Sequence, residues 1–212
     1  MDAKFWHGRW AHNQIAFHER DPNPLLVEHV DALALAPGHR VFVPWCGKTR
    51  DIHWLLCRDY RVAGAELSPI AIEQLVAELG VCPQRAEVGG IVHYFTPDLD
   101  LFVGDFFHVP SALLGPVDAI YDRAALVALP HEMRIRYAAH LMEITQRARQ
   151  LLITYEYLQS QMDGPPFSVS TEEVQRHYGD AYEVMRLAST AVPGGLKGQC
   201  AALENLWLLR PR

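Results

Sequence analysis

The sequence predicts an α/β domain: a mostly parallel β-sheet flanked by helices, with room for an antiparallel tail. Three observations carry that reading. From residue 40 onward, short apolar runs alternate with stretches of helical periodicity, the order that calls for parallel pairing and right-handed crossovers. The 212 residues are enough for one sizeable core. Half are hydrophobic and 21% are charged, a balance that excludes a disordered chain, a collagen-like repeat and a coiled coil. No repeat, low-complexity tract or linker divides the chain, so residues 1–212 read as a single domain. Residues 1–36 stand before the sheet core of residues 37–212.

Taken in order, residues 1–20 are rich in aromatics and histidine (Phe5, Trp6, Trp10, Phe17, His7, His12, His18) and show no strand pattern. Asn23-Pro24 opens a helix over Leu25 to Leu35, stopped at Pro37-Gly38. Arg40 to Pro44 is an apolar strand suited to burial on both faces. After the turn Trp45-Cys46-Gly47-Lys48, Thr49 to Arg58 is a helix and Arg61 to Leu67 a second strand. Ser68 then caps a helix with Pro69 in its first turn and Ile72, Leu75, Val76 and Leu79 at helical spacing. Residues 80–97 read as a loop or weak hairpin. Leu99 to Phe106 and Val117 to Asp122 are strands, and Pro130 opens a helix through Arg149. Gln150 to Leu158 is β-rich, Asp163-Gly-Pro-Pro166 a loop and Ser170 to Tyr178 a capped helix. Tyr182 to Ala188 and Leu203 to Leu209 close the chain as two strands.

Several function classes fall away. With 19 basic and 25 acidic residues the net charge is −6, and no Lys/Arg cluster offers a grip on nucleic acid. No apolar run approaches the length of a membrane span, and the first residues lack a signal core. Cys46, Cys57, Cys82 and Cys200 form no CxxC pair, which favours a reduced, cytoplasmic setting with four buried free thiols. His7, His12 and His18 lack the spacing of a zinc pair, His131 and His140 fit a solvated helix face, and no metal is expected. There is no GxSxG elbow for a Ser–His–Asp arrangement.

In an open α/β sheet, ligands bind beyond the carboxyl ends of the strands, where the strand order reverses. That rule selects residues 44–48, Glu66, residues 104–108 and residues 121–124. Glu66, about 20 residues past the first turn, suits the two hydroxyls of a ribose, or else a solvated helix-start acid. The turn PWCGK has one glycine rather than the three of GxGxxG, and no Walker spacing precedes Lys48-Thr49. An adenosine ligand without pyrophosphate therefore fits better than NAD, which favours S-adenosylmethionine. Asp105 and Phe106 could complete a nucleoside pocket or simply end a strand over the core. Arg123 needs a carboxylate, a cofactor or a cleft to face, or pairs with Asp122 at the surface.

The stretches FWHGRW (5–10), IAFHE (15–19), VFVPWCGKTRDIHWL (41–55), VAGAELSPIAIEQ (62–74), GDFF (104–107), YDRAALVALP (121–130) and GPPFSV (164–169) cover nearly the whole chain in order. In them the chain resembles the bacterial thiopurine S-methyltransferases, a class I S-adenosylmethionine-dependent group. The resemblance implies a Rossmann-like seven-stranded sheet with a partly antiparallel end and an N-terminal lid over residues 5–20. It implies methyl transfer from S-adenosylmethionine to the sulfur of an aromatic or heterocyclic thiol. Trp10, Trp45, Glu66, Asp105, Phe106 and Arg123 would then contact the cofactor, with Phe17 and Arg123 on the acceptor. Arg123 would be the catalytic group. The family's usual leucine after the proline is replaced here by Trp45. A monomer acting on a small-molecule thiol is expected. Halide, selenium or tellurium acceptors, a non-catalytic nucleoside-binding module and an NAD-dependent oxidoreductase stand as alternatives.

Overall fold

The computed structural model describes residues 3–212; residues 1 and 2 of the N-terminal stretch lie outside them. The strands are β1 (Arg40–Pro44), β2 (Arg61–Glu66), β3 (Gln84–Val88), β4 (Ile91–Phe95), β5 (Leu99–Val103), β6 (Ala119–Arg123), β7 (Arg149–Glu156), β8 (Tyr182–Ala191) and β9 (Leu203–Pro211). The helices are α1 (Ala3–Ala11), α2 (Pro24–His29), α3 (Arg50–Leu56), α4 (Pro69–Leu79), α5 (Ser111–Leu114), α6 (His131–Ile144) and α7 (Thr171–Tyr178).

One sheet runs in the order β3-β4-β5-β2-β1-β6-β7-β9-β8. The five strands from β5 to β7 are parallel, because helical crossovers join them. Their interior positions are buried on both faces, as the unbroken apolar runs require. Two cores result. One, around Phe42, Phe106, Tyr137 and Leu141, lies beneath α6; the other, around Val43, Ile52, Leu55 and Ile72, lies beneath α3 and α4.

The sheet has nine strands where seven were expected. The seven from β5 to β8 are present in the sheet order, and the β3–β4 hairpin adds two at the edge. Residues 84–88 are exposed throughout and so carry no apolar alternation to announce a strand. Gly89 and Gly90, with φ of 60° and 82°, supply the tight two-residue turn.

Other departures have local causes. Leu25–Leu35 is not one helix: α2 ends at His29 and a 3₁₀ turn covers Val30–Leu33. The helix expected to reach Arg149 stops at Ile144, because Gln146 and Arg147 turn the chain with positive φ although neither is glycine. Ser68 stands at the start of α4 but its hydroxyl caps nothing; its backbone N–H instead donates to Glu66. Asn23 and Ser170 do cap their helices through their side chains. Only Cys46 and Cys200 are buried, while Cys57 and Cys82 are exposed. His140 is half-buried rather than fully solvated, its ring bonding the Phe106 carbonyl at 3.1 Å.

Candidate active site

The strand order reverses between β1 and β6, which lead to opposite halves of the sheet. Their carboxyl ends flank a cavity of about 590 Å³, within the range of small-molecule sites. Trp45, directly after β1, and Ala124, directly after β6, both line it with positive φ (43° and 67°). Backbone strain of this kind in non-glycine residues is held only where the surroundings fix it, here on both sides of the crevice.

The β1 side is built from the backbone outward. The Cys46 N–H donates to the Ala65 carbonyl at 3.0 Å, tying the turn to β2. Glu66, at the end of β2, is 6% exposed and accepts from the Gly47 N–H and the Ser68 N–H, each at 2.8 Å. Each carboxylate oxygen keeps a further lone pair for a ligand. Burial raises the Glu66 pKa above its ordinary value, against the opposing backbone donors of Ser68, Gly47 and Leu67. Gly47 has φ of 53°, and a Cβ there would stand 3.1 Å from the Trp10 indole. Only glycine fits beneath that ring without strain.

Trp45 packs its indole parallel to Tyr137, centroids 5.1 Å apart, and edge-on to Phe106 and Phe107. Tyr137 is fixed by donating its hydroxyl to Asp122 at 2.7 Å. Burial pushes that carboxyl up to about 6, with the Tyr137 hydroxyl and the Leu126 and Ala125 N–H groups opposing. The Asp122–Arg123 surface pair is therefore absent: Asp122 points into the core.

Arg123 points the other way and lines the cavity. It pairs with Glu19 and donates to the Phe17 carbonyl at 3.1 Å. Burial works against its charge, but Glu19 foremost, then Tyr121, Tyr155 and Asp51, more than offset this and hold its pKa above the ordinary value. Phe17 meets Trp6 and Trp10 edge-on at 5.7 and 5.8 Å. This arm closes one side of the cavity, which Pro165, Pro166 and Lys197 border elsewhere.

The sequence-predicted residues thus divide. Trp10, Phe17, Trp45, Glu66 and Arg123 line a single cavity. Asp105 and Phe106 do not: Asp105 is exposed and accepts from the Phe107 N–H, while Phe106 is spent on the core. Sequence reasoning missed Glu19 and Asp51, and gave no role to Tyr121 within the selected residues 121–124. Asp51 is buried on the cavity wall, accepting from the Asn23 N–H, the Thr49 hydroxyl and the Tyr121 hydroxyl at 2.7, 2.9 and 3.1 Å. Its helical position resembled that of an ordinary first-turn acid, so nothing marked it. Glu19 ends the stretch IAFHE (15–19), and only the fold brings its partner Arg123 to it from β6. Among the described residues no group of His, Cys, Asp and Glu could hold a metal ion.

These features fit an adenosine ligand: a buried carboxylate with spare lone pairs, a glycine turn without a phosphate cradle, and an indole N–H. That N–H, of Trp6, is buried without a partner among the described residues. The sequence matches the family described as thiopurine S-methyltransferase over residues 1–204. The chain belongs to the thiopurine S-methyltransferase family. It is 55% identical over 210 residues to the thiopurine S-methyltransferase of Xanthobacter autotrophicus, covering 99% of both chains. It is 47% identical over 209 residues to that of Teredinibacter turnerae, covering 99% of this chain and 97% of that protein. Among solved structures, the fold matches an S-adenosylmethionine-dependent methyltransferase from Anabaena variabilis with a TM-score of 0.65 at 14% identity, covering 99% of this chain and 95% of that one. It also matches a Burkholderia thailandensis 1,6-didemethyltoxoflavin-N1-methyltransferase, crystallised with S-adenosylhomocysteine, with a TM-score of 0.64 at 15% identity, covering 98% and 87%. Family membership makes the chain an S-adenosylmethionine-dependent S-methyltransferase. The turn PWCGK is thus that of a methyltransferase and not of an NAD enzyme.

Proposed function

We propose that this enzyme methylates the sulfur of a flat aromatic or heterocyclic thiol of the thiopurine kind, with the donor in the β1 crevice and the acceptor beneath the N-terminal arm. The observation that carries this is the single cavity joining Glu66 and Gly47 to Phe17 and Arg123. Glu66 takes the ribose hydroxyls. Trp10 and Trp45 flank the cofactor, and the Trp45 indole replaces a leucine with a ring already backed by Tyr137. The Phe106 side chain supports Trp45 from the core.

Bound there, S-adenosylmethionine supplies an electrophilic methyl group on a sulfonium. The chain supplies proximity, alignment and exclusion of water. Phe17 lies over the acceptor ring, and Arg123 orients and stabilises a thiolate, which heteroaromatic thiols form far more readily than alkyl thiols. The cationic, aromatic lining (Arg9, Arg123, Lys197, Trp6, Phe17) suits a flat anion. The four unpaired cysteines support a cytoplasmic setting, and the acidic charge argues against nucleic acid as a partner. No helix among the described residues is long and apolar enough to cross a membrane. We assign the monomer as the working state.

The test is calorimetric titration with S-adenosylhomocysteine followed by an acceptor panel of 6-mercaptopurine, thiophenol, selenite and iodide. Turnover of the two aromatic thiols well above the others is expected. Preference for selenite or iodide would overturn the acceptor assignment.

A further inference from the structure

We propose that Glu19 is a catalytic residue, whose carboxylate takes the proton of an un-ionised acceptor thiol at its junction with Arg123 and Phe17. The proposal rests on the assignment of that junction as the acceptor subsite. It widens the acceptor class to thiols too weakly acidic to arrive as thiolates.

The geometry puts a carboxylate where such a proton must go. Glu19 follows Phe17 by two residues on the same arm and lines the same cavity. Arg123 engages only its Oε1, and no hydrogen bond holds Oε2 among the described residues. The Glu19 side chain is 46% exposed against 11% for Arg123, so the carboxylate is the open partner of the pair. Around it stand Arg123 and Tyr121 from β6, Asp51 from α3, Tyr155 from β7 and Glu204 from β9, with His18 beside it on the arm. Burial foremost raises its pKa, Arg123 opposes, and Asp51 and Glu204 raise it further; the balance lies above the ordinary value. A carboxylate so placed, engaged by Arg123 through one oxygen and open at the other, is more basic than one in water.

The step balances. The thiol S–H bond breaks, its proton passes to a Glu19 oxygen, and the electron pair stays on sulfur beside the Arg123 guanidinium. That pair forms the new S–CH₃ bond as the sulfonium C–S bond of the donor breaks, its electrons returning to the departing thioether. Glu19 then returns the proton to solvent through the cavity mouth.

The experiment compares kcat/KM of wild type and Glu19→Gln for benzyl mercaptan and 4-nitrothiophenol across pH. Calorimetry with S-adenosylhomocysteine verifies that the donor site is intact. Alkyl thiols ionise near or above about pH 8.5, whereas the nitrothiophenol is already a thiolate at neutral pH. With Glu19→Gln, benzyl mercaptan should lose about 100-fold near neutral pH, and nitrothiophenol should change by less than about five-fold. The benzyl mercaptan deficit should shrink as pH approaches that thiol's pKa, and Glu19→Asp should recover part of it. An equal loss for both acceptors, a gain for both, or a deficit that does not vary with pH overturns the role of Glu19. If Arg123→Ala and Phe17→Ala leave both acceptors unchanged, the subsite itself is wrong, a result separable from failure of Glu19 alone.

Discussion

The two walls of the cavity are made differently. On the β1 side, Cys46, Gly47 and Glu66 are held by backbone N–H hydrogen bonds continuous with the parallel sheet, and Trp45 is stacked on Tyr137. On the other side, the arm from Phe5 to Glu19 is joined within itself by the rings of Trp6, Trp10 and Phe17, and it meets the sheet through Trp10 over Gly47, the Glu19–Arg123 pair and one bond to the Phe17 carbonyl. The first wall is preorganised; the second is held by a few side-chain contacts, each worth little on its own. A donor that is the same in every turnover suits the rigid wall, and an acceptor that must enter and leave suits the arm.

Substitutions can break that contrast. The largest effect is expected from Glu66→Ala, which would remove the two charge-assisted bonds proposed to the ribose. S-adenosylhomocysteine affinity should fall about 100-fold or more by calorimetry. Stability should drop by about 1–3 kcal/mol, since the Gly47 and Ser68 N–H groups lose their acceptor. Wild-type affinity in this variant would remove the ribose assignment. Next, Arg123→Ala should lower kcat/KM for thiophenol by about 100-fold while S-adenosylhomocysteine affinity falls less than about ten-fold. The reverse pattern would move Arg123 to the donor side.

Smaller effects sharpen the contrast. Phe17→Ala should raise the acceptor KM by about ten-fold and leave unfolding free energy within about 0.5 kcal/mol, as befits a half-exposed arm residue. Trp45→Leu, restoring the family residue, should cost about 1–2 kcal/mol in urea denaturation through the lost contacts with Tyr137 and Phe106. A stability rise would show that the indole is strained rather than supported.

A separate effect concerns pH. Asp122 has a folded pKa of about 6 against an ordinary 3.8. Between those values the folded protein holds a proton that the unfolded chain has lost, so stability declines as pH rises through that window. Asp122→Asn should lack this decline. The stability difference between the two proteins should therefore shift in favour of the asparagine form between about pH 4 and pH 7. An unchanged difference would mean that Asp122 titrates normally.

Strands with continuous apolar runs were legible because burial on both faces leaves no polar alternation, as in β1 and β6. The hairpin at 84–95 was legible only as a loop or weak hairpin, since edge strands exposed to water need no such pattern. Helix α1 was silent. Of Phe5, Trp6 and Trp10, only Trp10 is buried, and these rings face the arm cluster and the cavity rather than a helix-packing stripe. The placement of Asp105 and Phe106 shows the same limit. Strand-end position was readable, but whether a ring turns toward ligand or core was not.

The order of residues alone determined the alternating architecture, the phosphate-free glycine turn and the acid 19 residues beyond it, because periodicity and turn chemistry are local properties of the chain. Tertiary structure decided the partnerships: Glu19 with Arg123 across 104 residues, Tyr121 with Asp51 across 70, and Trp45 against Tyr137. Charge and ring contacts depend on distance in space. The sheet order, which sets those distances, is fixed only when all the crossovers close together.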